Sequence, residues 1–113
     1  MKTLIIIIIS LIFSVKINAQ TTIVTSTVLV KGNCGECKDR IENAADIKGV
    51  KNSVWSETTK VLSVTYDTKK VSLEQIEKAI AKAGHQTATQ KADAAGYKAL
   101  PGCCKYESVD CKK

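Results

Sequence analysis

Val30-Lys31-Gly32-Asn33-Cys34-Gly35-Glu36-Cys37-Lys38 is the stretch on which the reading of this chain turns. It stands where a β-branched run gives way to a helical pattern. Upstream, residues 22–30 are rich in Ile, Val and Thr, the composition of a strand, and Gly32 closes them. Downstream, Ile41, Ala44 and Ala45 recur at helical spacing, with Lys38, Asp39, Arg40 and Glu42 on the other faces. Cys34 and Cys37, presented from the loop between two such elements, make a two-coordinate clamp for a soft metal ion.

Working outward, Gly49 ends the first helix. Residues 50–57, the polar turn Thr58-Thr59-Lys60 and residues 61–66 form a hairpin pattern, with Leu62, Val64 and Tyr66 on one face and Ser63 and Thr65 on the other. Trp55 belongs on the buried side, since an aromatic of that size supplies much of a small core. Ser72 followed by Gln75 is a capping box, and Val71 can staple onto Ile76. Leu73, Ile76, Ala79, Ile80 and Ala83 form the apolar stripe of a second helix, which Gly84 stops. A last strand over residues 85–89 completes the order βαββαβ. This order predicts a ferredoxin-like α+β sandwich, a four-stranded antiparallel sheet with two helices on one face, over residues 20–93. Residues 94–113 carry Leu100-Pro101-Gly102-Cys103-Cys104 and Cys111 and are expected as a tail outside the sheet.

The chain begins with Lys2, an apolar run over residues 4–15 broken only by Ser10 and Ser14, and small Ala19. That is the layout of a secretory signal peptide over residues 1–19, cleaved after Ala19. The run is shorter than the ~20 apolar residues a spanning helix requires. An exported, periplasmic protein is therefore expected, with room for one small domain. The formal net charge is +6, but the lysines are interspersed with acids, and the whole chain has one Trp, three Tyr and one Phe. Without a basic stripe or aromatic platforms, nucleic-acid binding is set aside.

These residues resemble the heavy-metal-associated domain family, which includes copper chaperones, the metal-binding domains of copper-pumping ATPases and the periplasmic mercury-binding protein. The likeness covers residues 22–93. It rests on Gly32-Asn33-Cys34-Gly35-Glu36-Cys37, Gly49-Val50, Leu62-Ser63-Val64-Thr65-Tyr66-Asp67 and Ala83-Gly84-His85. The family loop usually reads Gly-Met-x-Cys-x-x-Cys, with the Met buried beneath it. Here Gly32 stands where that Met would be, so the loop is shortened or re-spaced. Where members often carry Tyr, Phe or Lys after the helix-closing Gly, this chain has His85. The resemblance implies that His85 approaches Cys34 and Cys37, as a third ligand or as a cation offsetting thiolate charge. The alternative is a solvated His at a strand start.

Metal binding requires thiolates, and a free Cys ionises only near pH 8.5. Cys37 is expected at a helix start, where unpaired N–H groups and the dipole favour its anion, with Lys38 and Arg40 assisting and Glu36 opposing. Two thiolates suit Cu(I) above all and Hg(II) by the same softness; Zn(II), which wants four ligands, is a further alternative. No carboxylate cluster invites Mg(II) or Ca(II). The implied role is to capture such an ion and hand it by thiolate exchange to a membrane metal transporter or efflux partner, as a monomer or a metal-bridged dimer.

Five cysteines is an odd number for an exported disulfide framework. Cys103 or Cys104 pairs with Cys111, or the tail is a second soft-metal site, or it folds back to complete the first. Two other classes stay open. A thiol-disulfide oxidoreductase would use Cys34 and Cys37 but needs a Pro facing them, and the only Pro is Pro101. A disulfide-stapled structural module needs no free thiol. No Ser/His/Asp set, phosphate loop or carboxylate pair suggests covalent catalysis.

Overall fold

Strict alternation builds the central strand. In β3 (Val61–Asp67) the side chains of Leu62, Val64 and Tyr66 are buried, and the residues between them are only partly covered. β1 (Ile23–Leu29) and β2 (Val50–Trp55) flank it, both antiparallel, in the order β1-β3-β2. Register places Val28 and Trp55 opposite Leu62, so the large residues of all three strands meet on one face. The computed structural model describes residues 22–107; the expected signal peptide and Cys111 lie outside the described residues. Among the described residues no helix is long and apolar enough to cross a membrane.

Both helices pack on that inner face. α1 (Gly35–Ala45) contributes Cys37, Ile41 and Ala45, and α2 (Leu73–Lys82) contributes Ile76 and Ile80, to one core with Trp55, Leu62 and Val64. Each large aliphatic buried there stabilises the fold by about 1.5–3 kcal/mol. The start of α2 is fixed as its sequence requires. The Ser72 hydroxyl accepts from the Gln75 N–H, and the Gln75 side chain accepts from the Ser72 N–H.

The expected fourth strand is absent as a sheet member among the described residues. It shortens to a single antiparallel bridge, Val30 to Thr87, and the sheet has three strands. Beside the bridge lies the carboxylate of Glu77, buried on α2. It accepts hydrogen bonds from the hydroxyls of Thr87 (2.6 Å) and Thr89 (2.5 Å) and from the Thr89 N–H (3.3 Å). A turn follows at once, closed by the Thr87 N–H on the Gln90 carbonyl. The chain is thus drawn toward α2 where an extended strand would have continued along β1.

The segment after residue 90 lies outside the sheet but not apart from the core. The Asp93 N–H donates to the Ala81 carbonyl, and the Asp93 carboxylate caps α3 (Ala94–Lys98) through the Gly96 N–H. α3 lies so close to the end of α2 that a Cβ on Gly84, already at φ +104°, would stand 2.5 Å from the Gly96 carbonyl oxygen. Beyond it, Leu100 and Cys104 are buried in the main core. A short 3₁₀ turn (Gly102–Cys104) carries the two adjacent cysteines back to the start of α1.

Candidate metal centre

Cys34 is the N-cap of α1, and Cys37 lies in its first turn with its side chain fully buried. Three residues of helix rise bring the two sulfurs to 3.7 Å, with Cys34 partly open to solvent. Burial disfavours the Cys34 anion. The N–H groups of Cys37 and Glu36, free at the helix start, together with the thiols of Cys37 and Cys103, outweigh burial and draw the Cys34 pKa below its ordinary value. Cys34 occupies the cap, so the unpaired N–H groups of the helix start act on its sulfur. Lys38 was expected to assist the thiolates. Instead its ammonium pairs with the Glu42 carboxylate and donates to the Trp55 carbonyl.

Gly32 explains how the loop is supported without a Met. The Trp55 indole N–H donates to the Val30 carbonyl at 3.1 Å, which fixes the ring under the loop. A Cβ on Gly32 would stand 2.9 Å from that ring and 3.1 Å from the Cys37 Cβ. Trp55 occupies the space beneath the loop, and Gly32 is the residue that lets the backbone lie against it.

The tail supplies a third sulfur. The Sγ atoms of Cys34, Cys37 and Cys104 all lie within 4.8 Å of one another. Cys104 is fully buried, and burial, followed by its hydrogen bond to Cys37 and the nearby charge of Cys37 and Cys34, raises its pKa far above the ordinary thiol range. Cys103 stands at the rim, exposed. Its S–H donates to the Glu36 carboxylate at 2.8 Å, and chiefly for that reason its pKa is pushed up to about 11. Its carbonyl accepts from the Asn33 amide at 3.3 Å and from the Cys34 S–H at 3.8 Å. The metal loop and the tail are therefore fastened together by Asn33, Glu36 and Cys103. Cys34, Cys37, Cys103 and Cys104 are free thiols.

His85 does not join the sulfur cluster. It is fully buried, its Nδ1 lies 2.8 Å from the Lys31 carbonyl, and its ring stacks on Tyr106. A carbonyl only accepts, so Nδ1 carries the proton and Nε2 keeps a bare lone pair, which has no partner among the described residues. Of the candidates for a third ligand among the described residues, Cys104 groups with the two loop cysteines and His85 does not. Glu36, expected to oppose a thiolate, does so at Cys103, and the sequence did not show that it also holds the tail by accepting a hydrogen bond from the Cys103 thiol.

A small ferredoxin-like domain with a Cys-x-x-Cys loop at the head of its first helix defines a class of soft-ligand binding domains. The heavy-metal-associated domain model matches residues 27–86, and the chain belongs to that family. Among solved structures, it is similar to the CopZ metallochaperone at 31% identity and TM-score 0.55, over 57% of this chain and all of CopZ (100%). It is similar to oxidized MerP from Ralstonia metallidurans CH34 at 30% identity and TM-score 0.56, over 60% of this chain and 99% of MerP. It is also similar to a copper-binding domain of HMA7, a P-type ATPase, at 26% identity and TM-score 0.54, over 56% of this chain and 88% of that domain. The comparison with curated proteins found no match.

Proposed function

We propose that this protein is an exported carrier of a soft metal ion, Cu(I) first and Hg(II) second, that grips the ion through Cys34 and Cys37 and passes it on by thiolate exchange. The observation that carries the reading is the pair of free sulfurs 3.7 Å apart at a helix start, one of them partly open to solvent. Similarity to a metallochaperone, to MerP and to a copper-binding ATPase domain supports both the ion class and the transfer. The receiving partner is a membrane metal transporter or efflux protein, met by transient docking. Zn(II) fits less well, since a fourth ligand would have to come from elsewhere.

Export to the periplasm rests on the signal-like start, with Lys2, the apolar run and Ala19. The role is not enzymatic. A thiol-disulfide oxidoreductase is disfavoured by the antiparallel β1-β3-β2 sheet, and a stapled module by the free thiols.

The test is competition of the reduced chain against a colorimetric Cu(I) chelator. About one Cu(I) per Cys34/Cys37 pair is expected, with uptake lost when both are Ser. Reduction of a disulfide substrate without metal uptake would decide for the oxidoreductase.

A further inference from the structure

We propose that Cys104 is the third sulfur of a trigonal site formed with Cys34 and Cys37, so that the protein closes its own metal loop with its C-terminal segment. The inference rests on the soft-metal reading and specifies how the ion is held. Its basis is geometric. With metal–thiolate bonds of about 2.3 Å, a linear ion separates its two sulfurs by about 4.6 Å, and a trigonal ion by about 4.0 Å. The Cys34 and Cys37 sulfurs stand 3.7 Å apart, shorter than either spacing and much nearer the trigonal than the linear one. The Cys104 sulfur lies within 4.8 Å of both, so adjustments of less than about 1 Å let the three surround one ion.

Cys104 is also not placed there by a free tail. Leu100, four residues before it, is buried in the core, and Tyr106, two after it, donates to the Gly84 carbonyl and accepts from the Gln86 N–H. Tyr97 packs edge-on against Tyr106. The Cys103 thiol and carbonyl are tied to Glu36 and Asn33 on the metal loop. Anchors on both sides of Cys104 thus hold it against the pair, and the ordering of the third ligand is already accomplished in the metal-free fold. An incoming partner thiol would take the position of Cys104, its proton passing to the released Cys104 sulfur, which makes this residue the ligand exchanged first while Cys34 and Cys37 keep the ion.

The decisive measurement is X-ray absorption at the metal edge on the full chain loaded with Cu(I), and in parallel with Hg(II). A phosphine reductant is used so that no added thiol competes. Three sulfurs are expected in the wild type and two in C104A, with Cu(I) affinity in C104A weaker by roughly tenfold or more. Circular dichroism of C104A and C104S checks that the fold is retained. Two sulfurs in the wild type would overturn this proposal and leave the carrier reading intact. Three sulfurs in both wild type and C104A would overturn it too, since the third would then come from another group. Uptake of neither ion by the wild type would sink both.

Discussion

At the scale of single residues, His85 shows how a side chain noticed for one property acts through another. A histidine beside a metal loop invited reading as a ligand, but its Nδ1–H is committed to the Lys31 carbonyl and its ring to Tyr106. Burial, with a smaller contribution from Arg40, depresses its pKa below 6.5 against the opposing pull of the Lys31 carbonyl. The unfolded chain therefore takes up a proton that the folded chain refuses. The stabilisation is fully present above about pH 6.5 and is lost as pH falls from there through the depressed folded value, at no more than about 1.4 kcal/mol per pH unit. Urea unfolding of the wild type between pH 7.5 and 5 is expected to show this loss. H85F removes the titrating group and is expected to flatten the curve over the same interval; an equally steep curve in H85F would assign the acid sensitivity elsewhere.

At the scale of elements, the sequence was most legible where periodicity and end signals agreed. The hairpin alternation of Leu62, Val64 and Tyr66 and the Ser72/Gln75 box were both readable because each is a local pattern with one physical solution. The last strand was not, because its fate depends on Glu77, eight to twelve residues earlier and on a helix. Read along the sequence, Glu77 is a polar interruption of the apolar stripe. In the fold it is buried and gathers Thr87 and Thr89. Replacing it should leave the proton of the buried Thr87 hydroxyl without its acceptor, although the oxygen still accepts from the Gln90 N–H. E77A is expected to destabilise the protein by about 1–3 kcal/mol, read from the urea midpoint at unchanged m-value. The Thr89 amide, which donates to Glu77, should lose hydrogen-exchange protection in the same variant. A neutral E77A would show that the truncation of the strand has another origin.

For the whole molecule, the main question is where the domain ends. The sequence reading placed the boundary at residue 93, within an Ala- and Lys-rich stretch that runs from residue 91 to 99. The pair Cys34 and Cys37 was legible from its spacing within the βαββαβ order, whereas the approach of Cys104 was only one of three alternatives open for the tail, since it depends on Leu100, Tyr97 and Tyr106 finding the core and on Gly84 and Gly96 admitting a close backbone crossing. These anchors are expected to make the C-terminal segment part of the cooperative unit. L100A removes a buried core side chain and is expected to cost about 2–5 kcal/mol. Removal of everything after Gln90 should lower the urea midpoint further, with unfolding of the full chain remaining a single transition. A truncated protein with the midpoint of the full chain would mean that the segment merely lies on a domain already complete. Because the same anchors hold Cys104 against Cys34 and Cys37, stability and metal affinity should fall together along the series wild type, L100A and truncation. A loss of stability with undiminished Cu(I) affinity would separate the two roles of the segment.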